Sequence, residues 1–451
     1  MTHHRISRGL DIPIAGAASG SVVQLDAPDV VAIDPREFRG YTPRLDAREG
    51  DAVVAGQPLL RDKFHADLKI VSPVSGTVEA IERGARRVIT AVKVRVGEGE
   101  PRRQRSWSSD ALRDLSASDA MNQLAAGGGL ALIRTRPLDH VPSPSARPQA
   151  VLIAATETGP LQPGVDVLLS ADDRDALQAA IHVFNAVAED KVFLTTHEGA
   201  SHAALSGLSG VEQHSFSGPH PAGDPGLQVN HLCPPRAGGA VWTLRVWDAV
   251  LIGRLFLDGL LPAERTYAAV GVGVKQPRFV RTLLGAPIRH VVGEVEDGPM
   301  RWIAGSVLTG RAVGEDGFAP MLSRGVHVLP DTVERVLLGW AAPQLGRWSA
   351  HKAYLSGLLG WSTPQDLRPG LFGGERAIVP TGAYERVVAT PDILPTFLFK
   401  AIMADDLERS IKLGLLDITE EEAALCSFVC PSKTNFDDVL RKGLEQYAKE
   451  V

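Results

Sequence analysis

Cysteine is nearly absent from this 451-residue chain: Cys233, Cys426 and Cys430 are the only three. A disulfide framework is therefore excluded and the thiols are expected to stay reduced. An iron–sulfur cluster held by cysteine alone takes four thiolates, more than this chain has. Long apolar runs are lacking too. The nearest approach, Ala249 to Leu261, is broken by Arg254 and Asp258. It falls short of the ~20 apolar residues that cross a bilayer and fits a buried helix or strand pair. Nor is there an excess of positive charge. With 47 Lys and Arg against 53 Asp and Glu, the net charge is -6, and no broad basic surface is left for nucleic acid. Residues Met1 to Leu10 lack the apolar core of a secretory signal, which predicts a cytoplasmic chain. Catalytic signatures are missing as well: there is no HExxH, no CxxC and no GxSxG elbow.

Glycine and proline are plentiful, at 45 and 31 residues, and predict short strands with many turns. The length suggests about three domains, at roughly 100 to 200 residues each. Two half-motifs stand near the N-terminus: Arg48-Glu49-Gly50-Asp51 with Gly56-Gln57, and Ser72-Pro73-Val74-Ser75-Gly76-Thr77-Val78. Each reads as a strand and a tight turn, with Val53, Leu59, Ile70, Val78 and Ile81 facing one core. Together they resemble the two-sheet hammerhead of biotinyl and lipoyl carrier domains. The candidate carrier lysine is Lys63, but the spacer Phe64 to Lys69 is longer than the carrier pattern. The module is therefore read as the fold without its swinging arm.

Gly97 to Ser109 reads as a linker, and a helix is predicted over Asp110 to Leu124. The glycines 127 to 129 stop it, and Leu130 to Ile133 is predicted as a strand. Val151 to Ala155 and Val192 to Thr195 read as buried parallel strands. Asp172 to Ala188 between them is an amphipathic helix with Leu177, Ile181, Phe184 and Val187 inward, which makes a right-handed βαβ unit. From Ala263 strands dominate, at Tyr267 to Val274, Arg301 to Leu308 and Gly325 to Leu329, with one connecting helix. The C-terminal part is helical: Ile393, Phe397, Ala401, Leu407, Ile411 and Leu415 give one apolar face. Thr419 to Glu422 is a capping box, and Asn435 caps the last helix. The divisions expected are 1–100, 101–260, 261–330 and 331–451.

Among candidate site residues, His220 lies between two prolines in Ser217-Gly218-Pro219-His220-Pro221-Ala222-Gly223, so its imidazole is held rigidly. Lys275, Arg278 and Arg281 recur every third residue and suggest one basic face for an anionic group or an acidic partner. The histidines His197, His202, His214, His220 and His231 are too irregular for a metal motif. Cys426 and Cys430, the latter before Pro431, read as buried inert thiols. No GxGxxG follows the Val151 strand; Thr156-Glu157-Thr158-Gly159-Pro160 stands there, so nucleotide chemistry of its own is not expected.

Gly9-Leu10-Asp11-Ile12-Pro13-Ile14-Ala15-Gly16, the two hammerhead halves, Ser217 to Gly223 and Lys275 to Ala286 carry a resemblance in chain order. It continues through Ser306 to Gly310, Gly374 to Ala377 with Tyr384-Glu385-Arg386, and Ala424 to Pro431. The sequence resembles the A subunits of the sodium-translocating NADH:quinone oxidoreductases. The resemblance implies an α/β multidomain chain with a hammerhead, a Rossmann-like α/β domain, a β-grasp domain of the soluble-ligand-binding type and a helical end. It also implies a peripheral component on the cytoplasmic side of a bacterial respiratory complex that oxidises NADH, reduces ubiquinone and exports sodium. The expected partners are the other subunits, above all the B subunit, the membrane component that carries FMN. No covalent cofactor is expected here: NADH, FAD, FMN and iron–sulfur centres are assigned to other subunits. Ubiquinone contact through His220, Lys275 and Arg278 is one expectation. A purely structural adaptor without quinone contact is the alternative.

Overall fold

A computed structural model describes residues 2–333, 337, 345–359, 363–369 and 376–450. Between residues 30 and 96 the alternating apolar pattern builds two facing antiparallel sheets. One has four strands in the order Val30–Ile33, Ile89–Val96, Gly76–Arg83, Ala52–Val53; the other has Pro43–Leu45, Pro58–Asp62 and Lys69–Val71. Val53, Leu59, Ile70 and Val78 are buried between them, and Ile81 packs against the same core while half-buried. The two half-motifs pair directly, since Gly50 N–H donates to Val78 O (2.8 Å) and Val78 N–H to Asp51 O (2.9 Å). Gly76 is required where it stands. Its φ is 152°, and a Cβ there would lie 1.9 Å from Arg95 O. Lys63 follows Pro58–Asp62 at the hairpin tip and is exposed.

The central unit is a six-stranded sheet in the order Thr2–Arg5, Glu212–Ser217, Lys191–His197, Ala150–Ala155, Val241–Arg245, Arg134–Arg136. All neighbours are parallel except the last pair. Ala150–Ala155 is buried throughout, as its unbroken apolar run requires in a sheet covered on both faces. The Arg174–Val187 helix buries Leu177, Ile181, Phe184 and Val187, as its periodicity predicts. Ala249 to Leu261 resolves into the Val246–Asp258 helix. Two local expectations change. The helix expected over Asp110 to Leu124 is split into a 3-10 turn, Ala111–Asp114, and a helix, Ala117–Ala126. The restart is set by Ser116, whose hydroxyl accepts from Asp119 N–H at 3.0 Å. Leu130 to Ile133 is not a strand. Gly128 turns the chain at φ 82° into a buried 3-10 turn, Gly129–Leu132, and pairing begins only at Arg134. A short apolar run without alternation fits either state.

A second six-stranded sheet follows: Arg311–Ala312, Met300–Ala304, Gly325–Pro330, Glu264–Val270, Arg278–Leu283 and, from far upstream, Val23–Gln24. Its strands end earlier than expected at Val270 and Ala304, because Gly271 (φ 99°) and Gly305 (φ 102°) redirect the chain. The one connecting helix is Ile288–Val292. The C-terminal helices, Tyr384–Val387, Pro395–Met403, Leu407–Lys412, Glu420–Val429 and Phe436–Glu450, enclose their own core of Leu398, Phe399, Leu425, Phe436 and Leu440. The single apolar face expected from Ile393 to Leu415 is broken after Met403, with Asp405 at φ 56°. Ile393, Ala401 and Leu415 are buried, whereas Phe397 is 53% and Ile411 37% exposed. Thr419 and Glu422 form the expected capping box. Asn435 sits just before the last helix and donates its side-chain amide to Asp438 Oδ2 at 2.7 Å. Gly374 and Glu375 lie outside the described residues.

Candidate functional site

Three parallel strands step one way from Ala150–Ala155, to Lys191–His197 and then Glu212–Ser217, before Val241–Arg245 returns to the other side of the first. The gap at that reversal, beyond the carboxyl ends of the strands, is where open α/β sheets place their ligands. Here it opens into a cleft of about 700 Å³ lined by all four parts of the chain, with Arg39, Glu157, His220, Arg245, Thr309 and Glu421 among its walls. The turn after Ala155 is closed by its own hydrogen bonds. Gly159 N–H donates to Glu157 Oε1 (2.7 Å) and Glu157 N–H to His197 Nε2 (2.9 Å). The chain's own acid, Glu157, thus fills the turn.

His220 occupies the centre of this junction and is 3% exposed. Its loop is fixed by close backbone approach: a Cβ on Gly9 would lie 2.2 Å from His220 O, and one on Gly218 2.2 Å from Ile6 O. His220 N–H donates to Asp11 Oδ1 (2.9 Å), and Leu10 N–H donates to His220 O (2.7 Å). Both ring nitrogens are engaged, Nδ1 with Thr158 Oγ1 at 3.1 Å and Nε2 with Glu421 Oε2 at 3.2 Å. Thr158 Oγ1 already accepts from Gly223 N–H (2.9 Å), so its own hydrogen is free to donate to Nδ1 while Nε2–H donates to Glu421. Burial alone would hold the imidazole neutral, yet the Glu421 carboxylate against it raises its pKa. Burial likewise pushes Glu421 up, but hydrogen bonding from His220 brings it below the usual carboxylate range.

Glu421 is the middle of three consecutive glutamates that reach different units. Glu420 pairs with Arg39 of the two-sheet module and with Arg441 at 3.6 Å. Glu421 also accepts from Thr309 Oγ1 of the second six-stranded sheet at 2.8 Å. Glu422 turns inward and accepts from Ala389 N–H, Thr390 N–H, Thr390 Oγ1 and Thr419 N–H at 2.7–3.0 Å. Arg136, 4% exposed, gives one guanidinium nitrogen to the carbonyls of Leu416, Asp417 and Ile418 at 3.0–3.2 Å. The cleft also holds acids that burial leaves reluctant to ionise. Burial, then the Glu421 charge, pushes Asp224 up to about 6. Burial, then Asp34, pushes Glu37 up to about 7. Burial, then Glu420, pushes Asp437 up to about 8.

Lys275 and Arg278 are not among the residues lining this cleft. Lys275 is exposed and reaches Glu294 at 3.4 Å. Arg278 begins its strand half-buried, with its Nε shielded from solvent and without a partner among the described residues. The basic face expected from a spacing of three does not form. Arg278 and Arg281 lie in one strand, where positions three apart point to opposite sides, and Lys275 precedes it. Arg281, exposed on the other side from Arg278, donates from Nε to Thr266 Oγ1 at 3.4 Å.

All three cysteines are buried and free. Burial raises the Cys233 thiol to about 12 and drives Cys426 upward as well. Cys430 is buried as expected, at 0% exposed, but differs from the other two in its hydrogen bonds. Burial again opposes its thiolate, but hydrogen bonds from Ser432, Tyr384 and Thr434 bring it down to about 7. Among the described residues no group of three or more His, Cys, Asp or Glu side chains could hold a metal ion, and no helix is long and apolar enough to cross a membrane. Sequence reasoning missed Asp11, Arg39, Arg136, Thr158, Thr309 and Glu421 as parts of the junction. A signal existed for three: Asp11, Thr309 and Glu421 lie in the Gly9, Ser306 and Thr419 motifs, which the fold brings to one point.

Comparison with known proteins covers the same extent. Residues 4–97 match the family described as NqrA N-terminal barrel-sandwich hybrid domain, 115–261 the NqrA second alpha/beta domain, and 268–315 the NQRA C-terminal domain. The chain is 36% identical to the A subunit of the Na(+)-translocating NADH-quinone reductase of Pasteurella multocida, with 99% of each chain covered. It is 35% identical to that of Neisseria meningitidis serogroup B and 37% to that of Klebsiella pneumoniae, again over 99% of both chains. A solved NAD+-reducing [NiFe]-hydrogenase chain aligns at 13% identity and a TM-score of 0.36, covering 76% of this chain and 64% of that one.

Proposed function

This chain belongs to the family of Na(+)-translocating NADH-quinone reductase A subunits, and from that premise we propose that it is the peripheral assembly component of such a complex. It docks on the cytoplasmic side of the membrane, against the membrane component that carries FMN. The complex oxidises NADH, reduces ubiquinone and exports sodium, with NADH, FAD, FMN and iron–sulfur centres held by the other subunits. In this reading the central unit is Rossmann-like and the second six-stranded sheet a β-grasp domain of the soluble-ligand-binding type. The observation that carries the assembly role is the His220–Glu421–Thr309 junction. Its polar groups bind four parts of one chain together, leaving a rigid body for neighbours to dock on.

The second reading, direct contact with ubiquinone, draws on Arg278, whose buried Nε has no partner among the described residues. That cation favours a carbonyl oxygen gaining negative charge. His220, both of whose ring nitrogens are taken, positions the loop instead. The test of assembly is to purify the tagged chain from gently solubilised membranes of its host. Recovery with flavin-containing subunits and sodium-stimulated NADH:quinone reductase activity is the expected result, and a lone colourless chain from active membranes contradicts it. For quinone contact, Arg278→Ala in the intact complex is expected to raise the quinone KM several-fold, and unchanged kinetics dismiss that reading.

A further inference from the structure

The hairpin tip that bears the prosthetic lysine in carrier domains does something else here. Asp62 is 3% exposed, and its carboxylate accepts from Phe64 N–H (2.8 Å), His65 N–H (2.9 Å) and Thr42 N–H (2.6 Å). Three amides on one buried carboxylate lock the turn. What the locked turn displays is Phe64, 69% exposed, with Lys63 Nζ 4.9 Å from its ring centroid. A large aromatic on a loose tip needs no explanation, whereas one held out by a buried carboxylate is pre-ordered for a partner.

The sheet behind the tip adds charge of one sign. Arg44 stands directly opposite Arg61, and Arg61 directly opposite Lys69, so three cations lie abreast on one face. Like charges in register weaken a sheet. Only Asp46 relieves them, through Arg61 and Lys69, and Arg44 has no ion pair among the described residues. Beside Phe64 a groove of about 570 Å³ runs between the tip and the Ala117–Ala126 helix, walled by Ala66, Asn122, Ala125 and Pro144, with one acid, Asp67, and one cation of the row, Lys69, on its lining.

We propose that this hairpin and its cationic row form a docking surface for an acidic, extended protein segment of another subunit, with Phe64 buried as its anchor. The partner's being a fellow subunit rests on the assembly role above. A groove favours a polypeptide over a lipid surface, because a bilayer cannot enter between the tip and the helix, and the row of cations selects an acidic occupant.

The experiment places p-benzoylphenylalanine at position 64 of the tagged full-length chain, irradiates the purified complex and maps the cross-linked peptide. Expected is a cross-link to one other subunit within a segment rich in Asp and Glu. Adding Arg44→Glu is expected to lower its yield by roughly fivefold, the loss shrinking at high salt. Cross-links only to lipid, or none in a complex that retains its subunits and activity, overturn the docking surface while leaving the assembly role intact. Failure of the chain to co-purify with any subunit overturns both.

Discussion

His220 is held by Asp11, Leu10, Thr158 and Glu421 at once. Removing Glu421 leaves the Nε2 of a buried imidazole and the Thr309 hydroxyl without their acceptor. Glu421→Ala is expected to cost about 3 kcal/mol, measured by urea unfolding of the isolated chain, and an effect near zero contradicts the junction's role. Three acids of the cleft with raised pKa values give a pH dependence of one sign, opposite to that of Glu421, which His220 holds low. Asp224, Glu37 and Asp437 hold folded-state pKa values of about 6, 7 and 8, above their ordinary 3.8, 4.5 and 3.8. Their contribution is complete below those ordinary values and is lost as pH climbs through about 6, 7 and 8. His220, also raised, contributes below its ordinary 6.5 and loses that contribution as pH passes its folded value. Cys430, drawn down to about 7, acts in the opposite sense. The thermal midpoint is therefore expected to fall from about pH 4.5 to about pH 8. Asp437→Asn should flatten that slope, and an unchanged slope removes Asp437 from the explanation.

Between elements, the tightest constraint is the crossing of the Arg174–Val187 and Val246–Asp258 helices. A Cβ on Gly253 would stand 1.7 Å from Ala176 O, so Gly253→Ala forces the helices apart at about 3 kcal/mol or more. Gly164→Ala, with nothing within 4 Å of the new methyl, should stay within about 0.5 kcal/mol. Chemical denaturation of the pair checks both, and equal stabilities contradict the packing account. The same elements show what the sequence makes legible. Leu177, Ile181, Phe184 and Val187 announce their helix because burial on one side leaves a 3.6-residue rhythm. The apolar run Leu130 to Ile133 leaves no rhythm, being buried on every side, and nothing local distinguishes a 3-10 turn from a strand. Lys275 to Arg281 misleads for a related reason: a spacing of three describes a face only on a helix. His220 is legible as a held side chain from its two prolines. That Thr158 and Glu421 meet its ring is not legible, since 62 and 201 positions in sequence separate them from it.

For the whole molecule, the Thr419 to Glu422 segment has two roles, capping a helix and tying the C-terminal unit to the rest of the chain. The N-terminal residues work similarly at long range: Thr2–Arg5 forms the edge of the central sheet and Val23–Gln24 the edge of the second, while Ile12 and Ile14 enter the C-terminal core. These contacts tie the described units to one another, which suits a component that others assemble around. The measurement that tests this most directly is reconstitution. The complex is prepared from a host lacking this chain, and the purified chain is added back. Predicted is recovery of sodium-stimulated NADH:quinone reductase activity together with stoichiometric binding, the chain alone being inactive. Full activity in the complex without the chain, unchanged on adding it, would contradict the account.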